Sequence, residues 1–572
     1  MYAQEVKTSE GSINGGPELA MDYSQPRGDC DVVMKGGIAS GVVYPLALCE
    51  LATSYRLRSL GGTSAGAIAA SLAAAAEYGR DSGTGGFQKL EPVAEWLGQR
   101  PGPEKPTNLL ALFQPHPKTG ALFRYLIELL RAPGGPLRLM RKLGVKGAPV
   151  KAIQALVAGC RQFPGAAISG MLPGALLGCA ALLSSGPGNL VSLTAGLLLI
   201  LPGVLLATAW RAWRTLARTL PDCTYYGLST GLGERDADGQ LGLTDWLAEL
   251  IQHLAGRTTK DAPLTFGDLA RHERDGKAMG IDLQLLTTNL NLGRPYRIPF
   301  TDCGWYFDPL EFERIFPDYI VDHLVKAARA QPDPDRYPHL LPLPPGENLP
   351  IVVGARMSCS FPFLLSAVPL HAVDFAKRVS EDARRPVRTW SLDGGICSNF
   401  PVHFFDRPLP TRPTFALNLR PYHPDYPQVA EDEAKNFWLP GKATEGQADW
   451  WTYLASDNGS GNLVGFFEAI FDVMQNWRDN ALIPVPGFRE RIAHVCIAPD
   501  EGGAQPGDGA SDDQEDGRAR AAGDSCPCRA LRESERRRSA ERGKPPLDPV
   551  PELDGRARGN APIAAPGIPP RL

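Results

Sequence analysis

Between Arg161 and Arg211 the chain carries no charged residue, and the two apolar runs inside that interval, roughly 165 to 185 and 190 to 210, constrain its folding more than any other feature. Each run matches the ~20 residues that cross a bilayer as a helix. Ser184-Ser185-Gly186-Pro187-Gly188-Asn189 separates them as a turn, so the pair reads as a helical hairpin. Gly170, Gly174 and Gly178 recur every fourth residue, a small-residue stripe along which membrane helices approach closely. Pro173 and Pro202 fall inside the runs, where proline is tolerated better than in soluble helices. Arg131, Arg138, Arg141, Lys142, Lys146, Lys151 and Arg161 precede the hairpin and Arg211, Arg214 and Arg218 follow it, with no Asp or Glu from Leu129 to Pro221. Basic residues at both ends and none in the turn predict that both ends face the cytoplasm, where they attract anionic headgroups. The alternative is a glycine-rich pair buried in a soluble core or at an oligomer interface.

The rest of the 572 residues, at 43% apolar and 21% charged overall, has the composition of a globular protein with one large core or a few ordinary ones. A net charge of -4 gives no reason to expect nucleic acid as a partner. Eleven cysteines lack paired metal spacing, the closest being Cys526-Pro527-Cys528, which predicts free thiols in a reducing compartment and no metal. Met1 to Arg27 is polar, without a basic region followed by an apolar one, so no secretory signal is expected. From Glu501 to Leu572 there is no aromatic residue, and such a segment is expected to be disordered; its excess of arginine over lysine also fits GC-rich coding sequence read out of frame.

On either side of the hairpin the pattern is soluble. Asp31-Val32-Val33-Met34 reads as a buried strand running into the glycine loop Lys35-Gly36-Gly37-Ile38-Ala39-Ser40-Gly41, followed by a helix over Val42 to Thr53 with Pro45 near its first turn. Ser59 to Gly62 then leads through Gly62-Thr63-Ser64-Ala65-Gly66 into the alanine-rich helix Ala69 to Ala76. This strand, helix, strand, helix opening predicts an α/β fold with a mostly parallel sheet. Further on, Ile281 to Leu290 reads as a strand, Asn291 to Pro295 as a turn before a short strand ending at Phe300, and residues 331 to 349 as a proline-rich connection. Ile351 to Leu365 reads as a helical segment interrupted at Pro362, Arg388 to Leu392 as a strand entering Asp393-Gly394-Gly395, Thr414 to Leu419 as a strand, 464 to 476 as an amphipathic helix, and Arg491 to Ile497 as the last strand.

Three of these stretches carry chemistry. Gly-x-Ser-x-Gly between strand and helix is a nucleophile elbow, placing Ser64 on a sharp turn, with Gly62 and Gly66 where side chains would crowd it. A serine hydroxyl needs a base within hydrogen-bond reach, and Asp393 is the candidate, with Gly394 and Gly395 allowing a tight turn beside it. Gly36 and Gly37 are candidate N–H donors for an oxyanion, supported by Gly41 in the same loop. A glycine loop before a helix also cradles phosphate, but the dinucleotide and Walker patterns are absent.

The glycine loop, the Gly62-Thr63-Ser64-Ala65-Gly66 elbow and the Asp393-Gly394-Gly395 turn, in this order, resemble the patatin-like phospholipase family, over roughly 31 to 130 and 222 to 425. The resemblance implies a three-layer αβα hydrolase with a mostly parallel central sheet, interrupted by the apolar hairpin. It also implies a Ser-Asp dyad without histidine: Ser64 as nucleophile, Asp393 as base, Gly36 and Gly37 as the oxyanion hole, no cofactor, and a phospholipid or other acyl lipid as substrate. One departure is Ser40, where members of that family commonly carry Arg or Lys; Lys35 is the available substitute. The implied layout is a leader at 1–29, catalytic parts at 30–130 and 222–500, the hairpin insertion at 131–221, and a tail at 501–572. Two alternatives stay open: a Ser-Asp-His triad, for which His403, His423 and His494 follow Asp393 in the required order, and a catalytically silent membrane scaffold.

Overall fold

The computed structural model describes residues 21–497 apart from 38–39, 101–105, 131–147, 184–188, 234–240, 275, 302–303, 330–336, 338, 379, 381–383, 423–427, 430–435 and 441–460. The leader through residue 20, Arg131 to Lys146, the hairpin turn at 184–188, His423 and the tail after 500 therefore lie outside the described residues, as does part of the proline-rich connection.

One eleven-stranded sheet organises the molecule. In chain order its strands are β1 (Gly28–Met34), β2 (Tyr55–Gly62), β3 (Asp282–Asn289), β4 (Arg294–Ile298), β5 (Trp305–Phe307), β6 (Leu341–Pro342), β7 (Val368–Val373), β8 (Pro386–Asp393), β9 (Thr414–Pro421), β10 (Phe437–Trp438) and β11 (Ile492–Ile497). Hydrogen-bonded neighbours follow the path β10-β11-β9-β1-β2-β3-β8-β7-β5-β6, with β4 also paired to β3.

The expectation of a mostly parallel αβα sheet is wrong. Pairing is parallel only from β11 through β9, β1 and β2 to β3; every other junction is antiparallel, so the sheet is mixed. The reason is in the connections. Parallel neighbours need a crossover of about a dozen residues or more, usually through a helix, and Leu290 to Gly293 between β3 and β4 is far too short for one. Gly293, at φ 61°, turns that hairpin. The sequence reading also extended a helical segment to Leu365, whereas the helix ends at Ser358 and the chain returns as β7. Val368–Val373 shows no alternation, its first three residues being buried and its last three half-buried.

Helices α1 (Ser40–Ser54), α2 (Ala65–Tyr78), α3 (Gly120–Leu130), α4 (Ala148–Gln162), α5 (Pro164–Leu183), α6 (Asn189–Arg214), α7 (Leu243–Leu254), α8 (Ile351–Ser358) and α9 (Gly461–Leu482) position the site. One face of the sheet, presenting Val32, Leu60, Leu283 and Leu285, packs against α1, α2, α7 and α8. The alanines of α2 allow its close approach, and Ala67, Ala70 and Ala73 to Ala76 are fully buried. The other face, presenting Val33, Leu286, Ala416 and Ile492, is covered by Phe400, Val402, Phe404 and Phe405 with Leu482, Ile483 and Phe488. Among the described residues that cover is a loop and a helix end, not a third full layer.

The far end of α2 is fixed by charge. Arg80, almost fully buried, donates to Glu77 at 2.6 Å and to the carbonyls of Tyr23 and Ala52, each at 2.9 Å. Glu77 in turn accepts from the Leu57 amide at the start of β2, at 3.2 Å. Removing one partner of a buried pair leaves the other charge uncompensated. Arg80→Ala is therefore expected to destabilise the fold by about 3–5 kcal/mol, measured by chemical denaturation.

The apolar runs form α5 and α6, antiparallel neighbours and, among the described residues, the two helices long and apolar enough to cross a membrane, with mean hydropathy 1.8 and 2.4. Their contact face is glycine on glycine: a Cβ on Gly170 would lie 2.4 Å from Gly203 O and one on Gly174 2.5 Å from Gly196 O. The predicted stripe is thus at the interface, with Gly196 and Gly203 as unforeseen partners. Outward, Leu176, Leu182, Leu198 and Leu206 are each more than 65% exposed, so the pair is not buried within this chain.

Candidate active site

Ser64 and Asp393 meet because two strands end head to head. Along β3, residues Thr287 to Asn289 pair with both β4 and β8, and Leu285 pairs with both β2 and β4. β2 and β8 must therefore share the same edge of β3. β2 runs parallel to β3 and stops at Gly62 opposite Leu285; β8 runs the other way and stops at Asp393 opposite Thr287. Only Leu286 separates the two registers. Asp393 thus reaches the carboxyl edge of the parallel strands although its own strand is antiparallel.

The elbow is strained as the motif requires. Ser64 caps α2 with φ 55° and ψ -129°, a conformation that non-glycine residues adopt only when the surroundings over-determine it. Those surroundings are close: a Cβ on Gly62 would sit 2.5 Å from Gly66 O, and one on Gly66 2.6 Å from Met34 O at the end of β1. The Ser64 amide donates to the Ser358 hydroxyl at the end of α8, at 3.2 Å.

Asp393 is 3% exposed. Burial pushes its pKa up to about 7, partly opposed by the Ser64 hydroxyl beside it and by the Gly395 amide, which donates to Oδ1 at 2.7 Å. Oδ2 has no partner in full hydrogen-bonding geometry, while the Ser64 hydroxyl is a hydrogen-bonding neighbour of the carboxyl that lowers its pKa. Such contacts commonly tighten only when substrate is bound.

The loop after Asp393 is held by residues the sequence reading passed over. Asp479 of α9 accepts from Ser398 Oγ at 2.9 Å and from the Phe400 amide at 2.8 Å, and Asn476 accepts from Asn399 Nδ2 at 3.2 Å. Burial raises the pKa of Asp479. The Asn399 carbonyl in turn accepts from Thr63 Oγ1 at 2.9 Å and from the Gly36 amide at 2.8 Å, tying the glycine loop, the elbow and the aspartate turn together. In this conformation the Gly36 N–H is directed at the Asn399 carbonyl. Gly37 sits at the exposed turn with φ 154°. Ala65, directly after Ser64, borders the cavity, in the place where a nucleophile elbow supplies an oxyanion donor. Gly41 lies in the first turn of α1, and Gly394, whose Cβ would fall 2.2 Å from Leu286 O, packs against β3.

From Ser64 a narrow cavity runs between α2, α7 and the Cys359–Leu365 segment, walled almost entirely by apolar side chains including Ile68, Leu72, Trp246, Phe361 and Leu365. Beneath it, fully buried Arg356 donates to Ser360 Oγ at 2.7 Å and to the carbonyls of Thr230 and Ser366 at 3.0 and 3.1 Å. Burial lowers its pKa to about 10. This network joins the chain leaving the hairpin to the helix under Ser64; a lone arginine in Val-Gly-Ala-Arg-Met-Ser was the available signal.

No histidine among the described residues hydrogen-bonds to Ser64 or Asp393. His494 is 3% exposed, contacts Asn418 at 3.1 Å and Trp438, and is pushed down to about 3 by burial. His403 packs edge-on to Phe404. Lys35 directs its ammonium to Leu419 O at 3.5 Å, on β9, and Ser40 opens α1. Among the described residues no group of three or more His, Cys, Asp or Glu side chains is placed to hold a metal.

No protein-family model matches the chain. A curated relative, the RpoH suppressor of Rhizobium meliloti (strain 1021), is 34% identical over 533 residues, spanning 83% of this chain and 78% of the relative. At that identity and coverage the chain belongs to the same family as this RpoH suppressor.

Proposed function

We propose that the protein is a membrane-anchored serine acyl hydrolase of the Ser-Asp dyad type, resembling patatin-like phospholipases in its chemistry, with its catalytic domain on the cytoplasmic side. The observation that carries this reading is Ser64, strained at the start of α2, beside a buried carboxyl of pKa about 7 and at the mouth of an apolar cavity. Asp393 takes the Ser64 proton as Oγ attacks the ester carbonyl, and the same proton passes to the leaving alcohol. Water, deprotonated by Asp393, then releases the fatty acid and restores Ser64. The acyl chain fits the apolar wall, while the exposed leucines of α5 and α6 and their basic collar support a site near lipid headgroups. The relative's name designates a suppressor and states no reaction.

Two outcomes test this. Vesicles of phosphatidylcholine or phosphatidylglycerol incubated with the full chain are expected to yield free fatty acid and lysolipid, detected by mass spectrometry; no acyl product from any lipid tested refutes the reading. The protein is also expected to sediment with membranes until detergent is added, whereas a chain lacking 164–210 stays in the supernatant. Sedimentation of the shortened chain would remove the hairpin from the anchor.

A further inference from the structure

A second cavity, of about 560 Å³, opens at the root of the hairpin, between the first turns of α5, the last turns of α6 and the residues entering α3. Among the described residues three cations line it, Lys118, Arg211 and Arg214, and no carboxylate does. Glu128 on α3 stands one step back, accepting from Gln162 Nε2 at 2.8 Å, while Gln162 Oε1 accepts from Arg124 at 3.0 Å. Hydroxyl-bearing Ser169 and Thr215 and the apolar surfaces of Phe163, Ala207 and Trp210 complete the wall. The site is therefore cationic on one side and apolar on the other.

Its depth is set by α6. The apolar run ends at Trp210 and charge begins at Arg211, and Trp210 and Trp213 are 66% and 59% exposed. Tryptophan followed by arginine marks the headgroup plane of a bilayer-crossing helix. At that plane the abundant anion is the phosphodiester of a lipid, and basic pockets at the ends of membrane helices recognise such headgroups. We propose that this cavity binds the phosphodiester headgroup of an anionic phospholipid, with Arg211, Arg214 and Lys118 on the phosphate and Trp210 and Phe163 along the start of the acyl chains. The inference rests on the membrane half of the preceding reading and is independent of Ser64 chemistry.

The test uses the full chain in dodecyl maltoside micelles, with Ser64→Ala as a parallel sample that cannot consume lipid by the proposed route. Each is titrated with phosphatidylglycerol or phosphatidylcholine of matched chains, and bound lipid is counted by native mass spectrometry. Phosphatidylglycerol is expected to bind on the order of a hundredfold more tightly, from roughly fivefold for each of the three basic residues. Arg211→Gln with Arg214→Gln should cut that preference to about fivefold while leaving the melting temperature unchanged. Lys118→Gln, on a different segment, should reduce it about fivefold. Equal affinity of the wild type for the two lipids, or a preference undiminished by the double substitution, overturns the proposal. Inorganic phosphate at millimolar concentration should neither bind with comparable affinity nor displace the lipid; if it does both, the ligand is free phosphate and the lipid assignment fails. Loss of membrane sedimentation, by contrast, would refute the hairpin anchor and not this selectivity alone.

Discussion

Replacing Ser64 with alanine is expected to lower the rate of fatty-acid release by about 10⁵–10⁶-fold, the scale on which a serine hydrolase depends on its nucleophile, while vesicle binding and folding stay as in the wild type. The fold should not notice the change. The Ser64 hydroxyl bears on the Asp393 carboxyl alone among the contacts named above, and the Ser64 amide that reaches Ser358 is kept by alanine. The strain at φ 55° is carried by the backbone, held by Gly66 against β1 and by the first turn of α2, so it persists in the variant. An unchanged melting temperature with lost turnover separates removal of the attacking atom from collapse of the elbow. Residual release within tenfold of the wild type would place the reaction elsewhere.

Asp393→Asn has the second largest effect, about 10⁴-fold on turnover by analogy with replacing the acidic member of a serine triad by its amide, and it comes with an opposite effect on stability. The wild-type rate requires the ionised carboxyl, so kcat/KM should rise with pH through about 7 and level above it. For stability the sign is reversed. The folded-state pKa of about 7 stands above the reference value of 3.8, so the fold favours the protonated form. That contribution is fully present below about pH 4 and is lost as pH rises through about 7. Asparagine mimics the protonated form and cannot ionise. At pH 8 the variant should melt at a higher temperature than the wild type, and at pH 4 the two should nearly coincide; thermal unfolding followed by circular dichroism at both values checks this. A lower melting temperature for the variant at pH 8 would mean that the ionised carboxylate is structurally stabilised, contrary to its burial and unpartnered Oδ2.

Local chemistry was legible in the chain and long-range arrangement was not. The elbow announced itself because Gly62, Ser64 and Gly66 each answer a steric demand visible over five residues. The glycine stripe of the hairpin was readable for the same reason, since its spacing is that of a helix face. The mixed sheet was not, although the short turn at Leu290 to Gly293 contained the hint: an α/β opening set the expectation, and nothing local says on which edge of β3 a later strand will lie. The encounter of Ser64 with Asp393 depends on that edge. Asp479 and Asn476 were invisible because a carboxylate and an amide on an amphipathic helix look like solvent-facing residues until the Ser398–Phe400 loop is found against them. The bond from the Gly36 amide to the Asn399 carbonyl was likewise invisible, because its two ends lie more than three hundred and fifty residues apart.

The central claim, that Ser64 is an activated nucleophile, is tested most directly by intact-protein mass spectrometry after exposure of the full chain to a fluorophosphonate. A single adduct that maps to the peptide containing Ser64, absent from Ser64→Ala and formed much more slowly in Asp393→Asn, is the predicted result. A wild-type protein that remains unmodified, or an adduct that persists in Ser64→Ala, would contradict it.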